Sequence, residues 1–299
     1  MLNYIENLKE EINEATKHVG NKDYKTVLQE KLQIHGDVKI EYEIIKEDIG
    51  NKVNRDLLNS KILEKIISIR NPKSPISESY RGIRTSIEFS NLDKEMKVIN
   101  VTSSMQNEGK STVIANLAVS FANLEKKVLL LEGDLRNPSV HRMFNISNIN
   151  GLTDILLNNK NFAECVHCTE VKNLHVLTCG AVPPNPSEIL SSKKMKEFIT
   201  SLREYYDYIF IDAPPIGVVT DAGIISTYSD GCVFVVGSKQ CDVEIAKVSK
   251  QRLEDVGANI IGAILNKFEA EGNGYNYYNY YYQHESGRKG RNKKKAAAL

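Results

Sequence analysis

The sequence contains no tryptophan, and only 5 of its 299 residues are cysteine. An odd set of thiols (Cys165, Cys168, Cys179, Cys232 and Cys241) in a long chain reads as reduced cysteine rather than a disulfide framework, which points to the cytosol. No apolar run reaches the roughly 18 to 20 residues that a membrane-spanning helix needs. Met1 to Glu14 is broken by Glu6, Lys9, Glu10 and Glu11, so it lacks the apolar stretch of a secretory signal. Net charge is nearly absent too: 39 Lys and Arg against 38 Asp and Glu leave +1. With 41% hydrophobic and 26% charged residues, disorder of the whole chain is excluded, and the length suits one large domain or two modest ones.

Two features are unevenly placed. Of 14 tyrosines, six fall within eight residues: Tyr275, Tyr277, Tyr278, Tyr280, Tyr281 and Tyr282. The near-zero charge hides a basic run, Arg288, Lys289, Arg291, Lys293, Lys294 and Lys295, without which the net charge of +1 becomes −5.

Residues 1–70 read as a mostly helical appendage, a packing or docking segment. Leu2, Ile5, Leu8, Ile12, Ala15 and Val19 recur at helical spacing, and Val38, Ile40, Tyr42 and Ile44 alternate like a strand. Asn71-Pro72-Lys73-Ser74-Pro75 reads as a linker, and Ser77 as the cap of a helix from Glu78 to about Phe89. From Lys97 the pattern alternates. Strands are expected at Val98–Ser103, Val128–Leu131, Leu174–Leu177, Tyr208–Ile211, Val233–Val236 and Ile260–Leu265. Helices are expected at Lys110–Leu124, Lys193–Tyr206, Asp221–Tyr228 and Val243–Val256. Continuous aliphatic strands between helices predict an α/β domain over 71–268 with a mostly parallel sheet and its active site at the C-terminal strand ends. Residues 269–299 read as a flexible tyrosine-rich and basic tail.

The chemistry begins after the first strand. Ser104-Met105-Gln106-Asn107-Glu108-Gly109-Lys110-Ser111-Thr112 has the strand–loop–helix setting of a phosphate-binding loop, although the strict pattern places Gly at position 104. Gly109 lets backbone amides approach phosphate at a helix N-terminus, Lys110 reaches the outer phosphates, and the Ser111 hydroxyl suits Mg²⁺. Two further strands run into acids, at Glu132-Gly133-Asp134-Leu135-Arg136 and at Asp212-Ala213-Pro214-Pro215. Carboxylates at that edge can hold Mg²⁺ directly or through water, so Lys110, Ser111, Glu132, Asp134 and Asp212 compose a phosphoryl-transfer cluster.

In this order, with Glu78-x-x-Arg81-x-x-Arg84 before the loop, Pro183-Pro184-Asn185-Pro186-Ser187-Glu188 between the acids and the tyrosines at the end, the chain resembles a bacterial tyrosine kinase of the capsular and exopolysaccharide class, built on a MinD/ParA-like P-loop fold. The resemblance spans about residues 71–283. It implies an ATP- and Mg²⁺-dependent protein tyrosine kinase whose tyrosine cluster is phosphorylated in trans. It implies a ring-like homo-oligomer using Glu78, Arg81 and Arg84. It also implies recruitment from the cytoplasm to the membrane by an activator of the polysaccharide chain-length-regulator type. Asn107, Glu108, Gly109, Lys110, Ser111 and Thr112 would bind nucleotide, with Asn266 at the adenine. Glu132 or Asp134 would take the tyrosine proton, and Arg136 would structure the site or touch phosphate. The family's second acidic motif usually opens with Asp where this chain has Glu132.

The alternative is a MinD/ParA-like ATPase switch acting by nucleotide-dependent binding. Such proteins carry an early lysine at the position of Met105 and need no tyrosine tail. Cys165-Val166-His167-Cys168 has metal-like spacing but lacks a second pair to complete a tetrahedral set. The 288–295 run reads as solvated, and no nucleic-acid partner is expected.

Overall fold

The computed structural model describes residues 65–90 and 95–268. The sequence-predicted elements of residues 1–64 and the tail beyond 268 lie outside them. The chain divides into two compact units, 1–58 and 59–299, and every described residue belongs to the second.

Among the described residues seven strands form one sheet. They are β1 (Val98–Ser103), β2 (Val128–Glu132), β3 (Val166–Cys168), β4 (Leu174–Leu177), β5 (Tyr208–Asp212), β6 (Gly231–Gly237) and β7 (Ile260–Asn266), in the order β3-β4-β2-β5-β1-β6-β7. All pairings are parallel except β3 with β4. The six strands expected from apolar runs are all present, and β3 is an addition at the edge. The helices described are α1 (Ile67–Arg70), α2 (Pro75–Phe89), α3 (Lys110–Ala122), α4 (Val140–Met143), α5 (Leu152–Asn158), α6 (Phe162–Cys165), α7 (Pro186–Ser191), α8 (Lys193–Leu202), α9 (Asp221–Ser226) and α10 (Val243–Asp255). No helix among the described residues is long and apolar enough to cross a membrane.

The strand pleat sorts the apolar residues into two cores. Val98, Leu129, Leu131, Ile209 and Ile211 face a layer that includes α5, α7, α8, α9 and α10. Their neighbours Ile99, Val128, Leu130 and Phe210 face α3 with α1, α2 and α4. Alternate side chains point to opposite faces, so strands covered on both sides must be apolar throughout. The helix α3 is therefore buried nearly all round, from Val113 to Ala122.

Helix α2 starts earlier than the sequence suggests. Ser74, not Ser77, is its cap: Ser74 Oγ accepts from the Ser77 amide at 3.1 Å, and Pro75 occupies the first helical position, where its missing N–H is no loss. Ser77 lies inside the helix, and its hydroxyl donates to Asn71 O at 2.7 Å.

Outside the site, Asp230, just before β6, ties the start of β1 to the end of α8. It accepts from the Lys97 and Val98 amides at 2.9 and 2.8 Å and from the Arg203 guanidinium at 2.9 and 2.8 Å. Burial pushes its pKa up, but the Arg203 and amide hydrogen bonds outweigh this and hold it below the ordinary value. Asp230→Ala should cost about 2 kcal/mol at pH 7, because it leaves a guanidinium and two amides without their acceptor. A depressed carboxylate pKa stabilises fully above the unfolded value, near 4, and loses that contribution as pH falls through the folded value. The gap between wild type and variant in urea midpoint should therefore narrow below about pH 4. A constant gap from pH 7 to pH 3 would contradict this.

Candidate active site

The crevice opens where strand order turns back on itself. From β1 the chain crosses through α3 to β2 on one side, while β5 leads through α9 to β6 on the other. Loops on either side of such a point part at the strand C-termini. A cleft of about 820 Å³ lies there, lined by Gln106, Asn107, Gly109, Lys110, Ser111, Thr112 and Asp134 among others.

The loop keeps its shape without glycine at position 104. Ser104 does not adopt positive φ, so no glycine is required there. The left-handed positions are Asn107 at φ 66° and Gly109 at φ 92°. A Cβ on Gly109 would lie 2.1 Å from Asn266 Nδ2. Gly109 is thus demanded both by conformation and by close approach.

Two residues expected to bind nucleotide, Glu108 and Asn266, turn their side chains to bracing the loop and do not line the cleft. The Glu108 carboxylate is buried and accepts from the Met105 amide at 2.6 Å and the Gly237 amide at 2.9 Å, pinning the loop to the end of β6. Asn266 Nδ2 donates to Glu108 O at 2.8 Å, so its amide holds loop backbone where an adenine contact was expected. Lys267, which the sequence reading did not single out, donates to Asn107 O at 2.5 Å and lines the cleft.

The acids converge because β2 and β5 are neighbours in register, with Glu132 beside Asp212. Lys110 Nζ lies 3.1 Å from Asp134 Oδ2, 3.5 Å from Asp212 Oδ1 and 3.3 Å from Ser111 Oγ. Burial alone would lower the Lys110 pKa, but the charges of Asp212, Asp134 and Glu132 raise it above its ordinary value. Burial raises Asp212, against the pull of Lys110. Burial, then the charge of Asp212, raises Glu132 well above the usual carboxylate range.

Glu132 and Asp134 differ in setting. Glu132 is wholly buried, and its Oε2 accepts from the Ser139 and Val140 amides at 2.8 and 2.6 Å, at the start of α4. Asp134 lines the cleft; its Oδ1 accepts from the Asn137 amide at 3.0 Å while Oδ2 faces Lys110.

A divalent cation fits this donor set. Ser111, Asp134 and Asp212 offer hard oxygens close together around the Lys110 ammonium, and among the described residues Asp212 Oδ2 is buried without a hydrogen-bond partner. Among the described residues no three His, Cys, Asp or Glu side chains form a metal cluster by themselves. Water and phosphate oxygens would complete the shell, as Mg²⁺ prefers.

Arg136 has a structural partner. Its Nε donates to Asp221 Oδ2 at 2.8 Å and its Nη2 to Asp221 Oδ1 at 3.1 Å and Ser187 Oγ at 2.9 Å. This lock joins the loops after β2, β4 and β5. Asp221 is buried at the first turn of α9, where sequence signals only a helix start.

The α2 trio divides. Glu78 and Arg81 pair with each other on the exposed face. Arg84 turns inward, donating from Nη1 to Ser120 O at 2.8 Å and Ser120 Oγ at 3.2 Å. The spacing suggested one shared surface, and the structure adds that Arg84 also braces α3 of its own chain through Nη1.

Residues 94–299 match the ParA family model, described as NUBPL iron-transfer P-loop NTPase. The tyrosine-protein kinase YwqD of Bacillus subtilis (strain 168) is 44% identical over 207 residues, covering 69% of this chain and 87% of that protein. The chain belongs to the bacterial tyrosine kinases. Among solved structures, the chimerical protein CapA2B2 superposes on this kinase with a TM-score of 0.68 at 39% identity, covering 69% of this chain and 91% of that one. The septum site-determining protein MinD complexed with Mg-ADP, from Pyrococcus horikoshii OT3, gives 0.51 at 27% identity, covering 58% and 72%. The kinase is therefore a protein-tyrosine kinase on a MinD/ParA-like, nucleotide-binding P-loop fold.

Proposed function

We propose that this kinase transfers the γ-phosphoryl group of ATP to tyrosines of its own tail, Tyr275 to Tyr282, on a neighbouring copy. The observation that supports it most is the Lys110 ammonium held between Asp134 and Asp212 at the mouth of the phosphate loop. The loop amides from Asn107 to Ser111 and the Lys110 ammonium bind the β- and γ-phosphates. As phosphate takes over the ammonium, Asp134 is released to accept the tyrosine proton. The phenolic oxygen then attacks phosphorus in line, the new O–P bond forms, and the bond to the β-phosphate oxygen breaks to release ADP. A tyrosine hydroxyl with pKa near 10 needs such an acceptor at neutral pH. Ser111 and Asp212, with Asp134 through a water, would hold Mg²⁺, which would supply positive charge for the phosphate oxygens. Glu132, Asp212 and the Arg136–Asp221 pair keep the site in shape.

The wider setting in this proposal is a ring-like oligomer with Glu78, Arg81 and Arg84 at its contact. The cytoplasmic kinase is recruited to the inner membrane face by an activator of the polysaccharide chain-length-regulator type, to regulate capsular or exopolysaccharide synthesis and export. Residues 1–70 serve as appendage and dock, 71–268 as kinase domain, and 269–299 as acceptor tail. Six phosphates at about −1.5 to −2 each would turn the tail strongly negative beside its basic run. Mass spectrometry after incubation with Mg-ATP is expected to find phosphate within 275–282. A chain stopped at Phe268 should keep the ability to phosphorylate a Lys110→Met chain that carries the tail. Phosphate elsewhere but absent from 275–282 would sink the tail assignment.

A further inference from the structure

The segment entering the domain is fastened to the helix that leaves the phosphate loop. Asn116 is wholly buried in the middle of α3, and a buried amide requires partners. Its Oδ1 accepts from the Ser68 amide at 2.9 Å. Its Nδ2 donates to Lys65 O at 2.9 Å and to Thr112 O at 2.8 Å. One side chain thus holds the backbone of Lys65 against the first turn of α3. Ile66, the next residue, is fully buried in the core shared by α3 and α4, which anchors the backbone a second time.

The side chain of Lys65 is exposed, and it lines the same cleft as Thr112, Ser111 and Lys110. Lys110 and Arg136 are already matched to buried carboxylates. Among the described residues no carboxylate pairs with Lys65. A cation with a fixed backbone and no carboxylate partner among the described residues, on the wall of the cleft beside the phosphate loop, is placed to meet phosphate.

We propose that Lys65 is a nucleotide-binding residue whose ammonium contacts the polyphosphate of ATP or ADP, and that Asn116 is the positioning residue that holds it there. The inference rests on reading the cleft as the nucleotide site. It adds a contact from outside the strand–loop–helix motif, at the point where residues 1–64 join the domain. A partner that displaces this segment would thereby change nucleotide affinity.

Titration of the full chain with a fluorescent ADP or ATP analogue tests this. Lys65→Ala is expected to raise Kd about tenfold, the scale of one charge-assisted contact in a partly solvated site. Lys65→Arg should stay within about threefold, since the charge is kept. Thermal melting without nucleotide should be unchanged for both, because the side chain is exposed. Asn116→Ala should weaken binding in the Lys65 background but add little when Lys65 is already Ala, the non-additivity of residues that act through one another. An unchanged Kd for Lys65→Ala, with wild type binding normally, overturns the Lys65 assignment. An Asn116→Ala effect of equal size in both backgrounds overturns the positioning role. If wild type fails to bind nucleotide, or Lys110→Met binds as well as wild type, the nucleotide-site reading itself falls, and this inference with it.

Discussion

Lys110→Met is expected to lower tyrosine phosphorylation by at least about 10²- to 10³-fold, the loss seen when one preorganised charge-stabilising donor is removed. The side chain is the cation at the centre of the site, within 3.5 Å of Asp134, Asp212 and Ser111. Without it the γ-phosphoryl group loses its positive contact during transfer, and the three acids lose their counter-charge. The second effect has its own signature. Glu132 already has a pKa raised by burial and by Asp212, with Lys110 among the groups that pull it down. Removing Lys110 raises it further. A carboxylate whose folded pKa lies above its unfolded value favours the fold below the unfolded pKa and loses that advantage as pH rises through the folded one. The variant's stability relative to wild type should therefore fall only as pH rises above the ordinary carboxylate range, from the folded pKa of Glu132 in wild type to its higher value in the variant. Anti-phosphotyrosine detection and urea unfolding at several pH values read the two effects separately. Retained phosphorylation would refute the role of Lys110. A flat stability difference would refute the electrostatic coupling.

Asp134→Asn is expected to cost about 10²- to 10⁴-fold in kcat, the range for a lost general base. Asn cannot accept the proton, and it offers one neutral oxygen where the cleft presents two charged ones. Glu132→Gln should cost clearly less, because Glu132 is buried behind the cleft with Oε2 committed to the Ser139 and Val140 amides. A Gln carbonyl oxygen keeps those two acceptor bonds, and the variant sheds a charge that the fold strains to bury. Its stability should match or exceed that of wild type at pH 8, the side on which ionised Glu132 is most costly. Single-turnover phosphorylation of the two variants decides between the carboxylates. If Glu132→Gln loses more than Asp134→Asn, proton acceptance belongs to Glu132.

Much of the fold was legible because it rests on periodicity. The central strands are short, mostly aliphatic runs of five to seven residues between helical periods, a length and β-branched content that suit strands covered on both faces. The strand β3 escaped because it is three half-covered residues at an edge. The helices α4 to α7 span only four to seven residues each, too short for a period to show. Helix α2 was misplaced by one turn, since Ser74 and Ser77 are both good caps and only the Pro75 φ decides between them.

The site divides along the same line. Gly109, Lys110, Ser111, Asp134 and Asp212 were singled out by residue type and by their place directly after strands, and the structure brings them together at the strand ends. The work of Glu108, Asn266, Arg84, Asp221 and Asn116 was not legible, because it is set by what each happens to meet across the fold. Glu108 and Asn266 sit in or beside the motif yet brace its backbone. Arg84 has the spacing of an exposed face yet points at Ser120.

By itself, the sequence determined the sheet, its apolar cores, the phosphate loop and the class of chemistry, because each depends on residue type and local spacing. Tertiary structure alone decided which carboxylate faces the cleft, which polar residues are struts, and that Lys65 lies beside the phosphate loop. Those outcomes depend on which strands are neighbours and where a hydrogen-bond partner waits tens of residues away, as Ser68 waits for Asn116 across 48 positions.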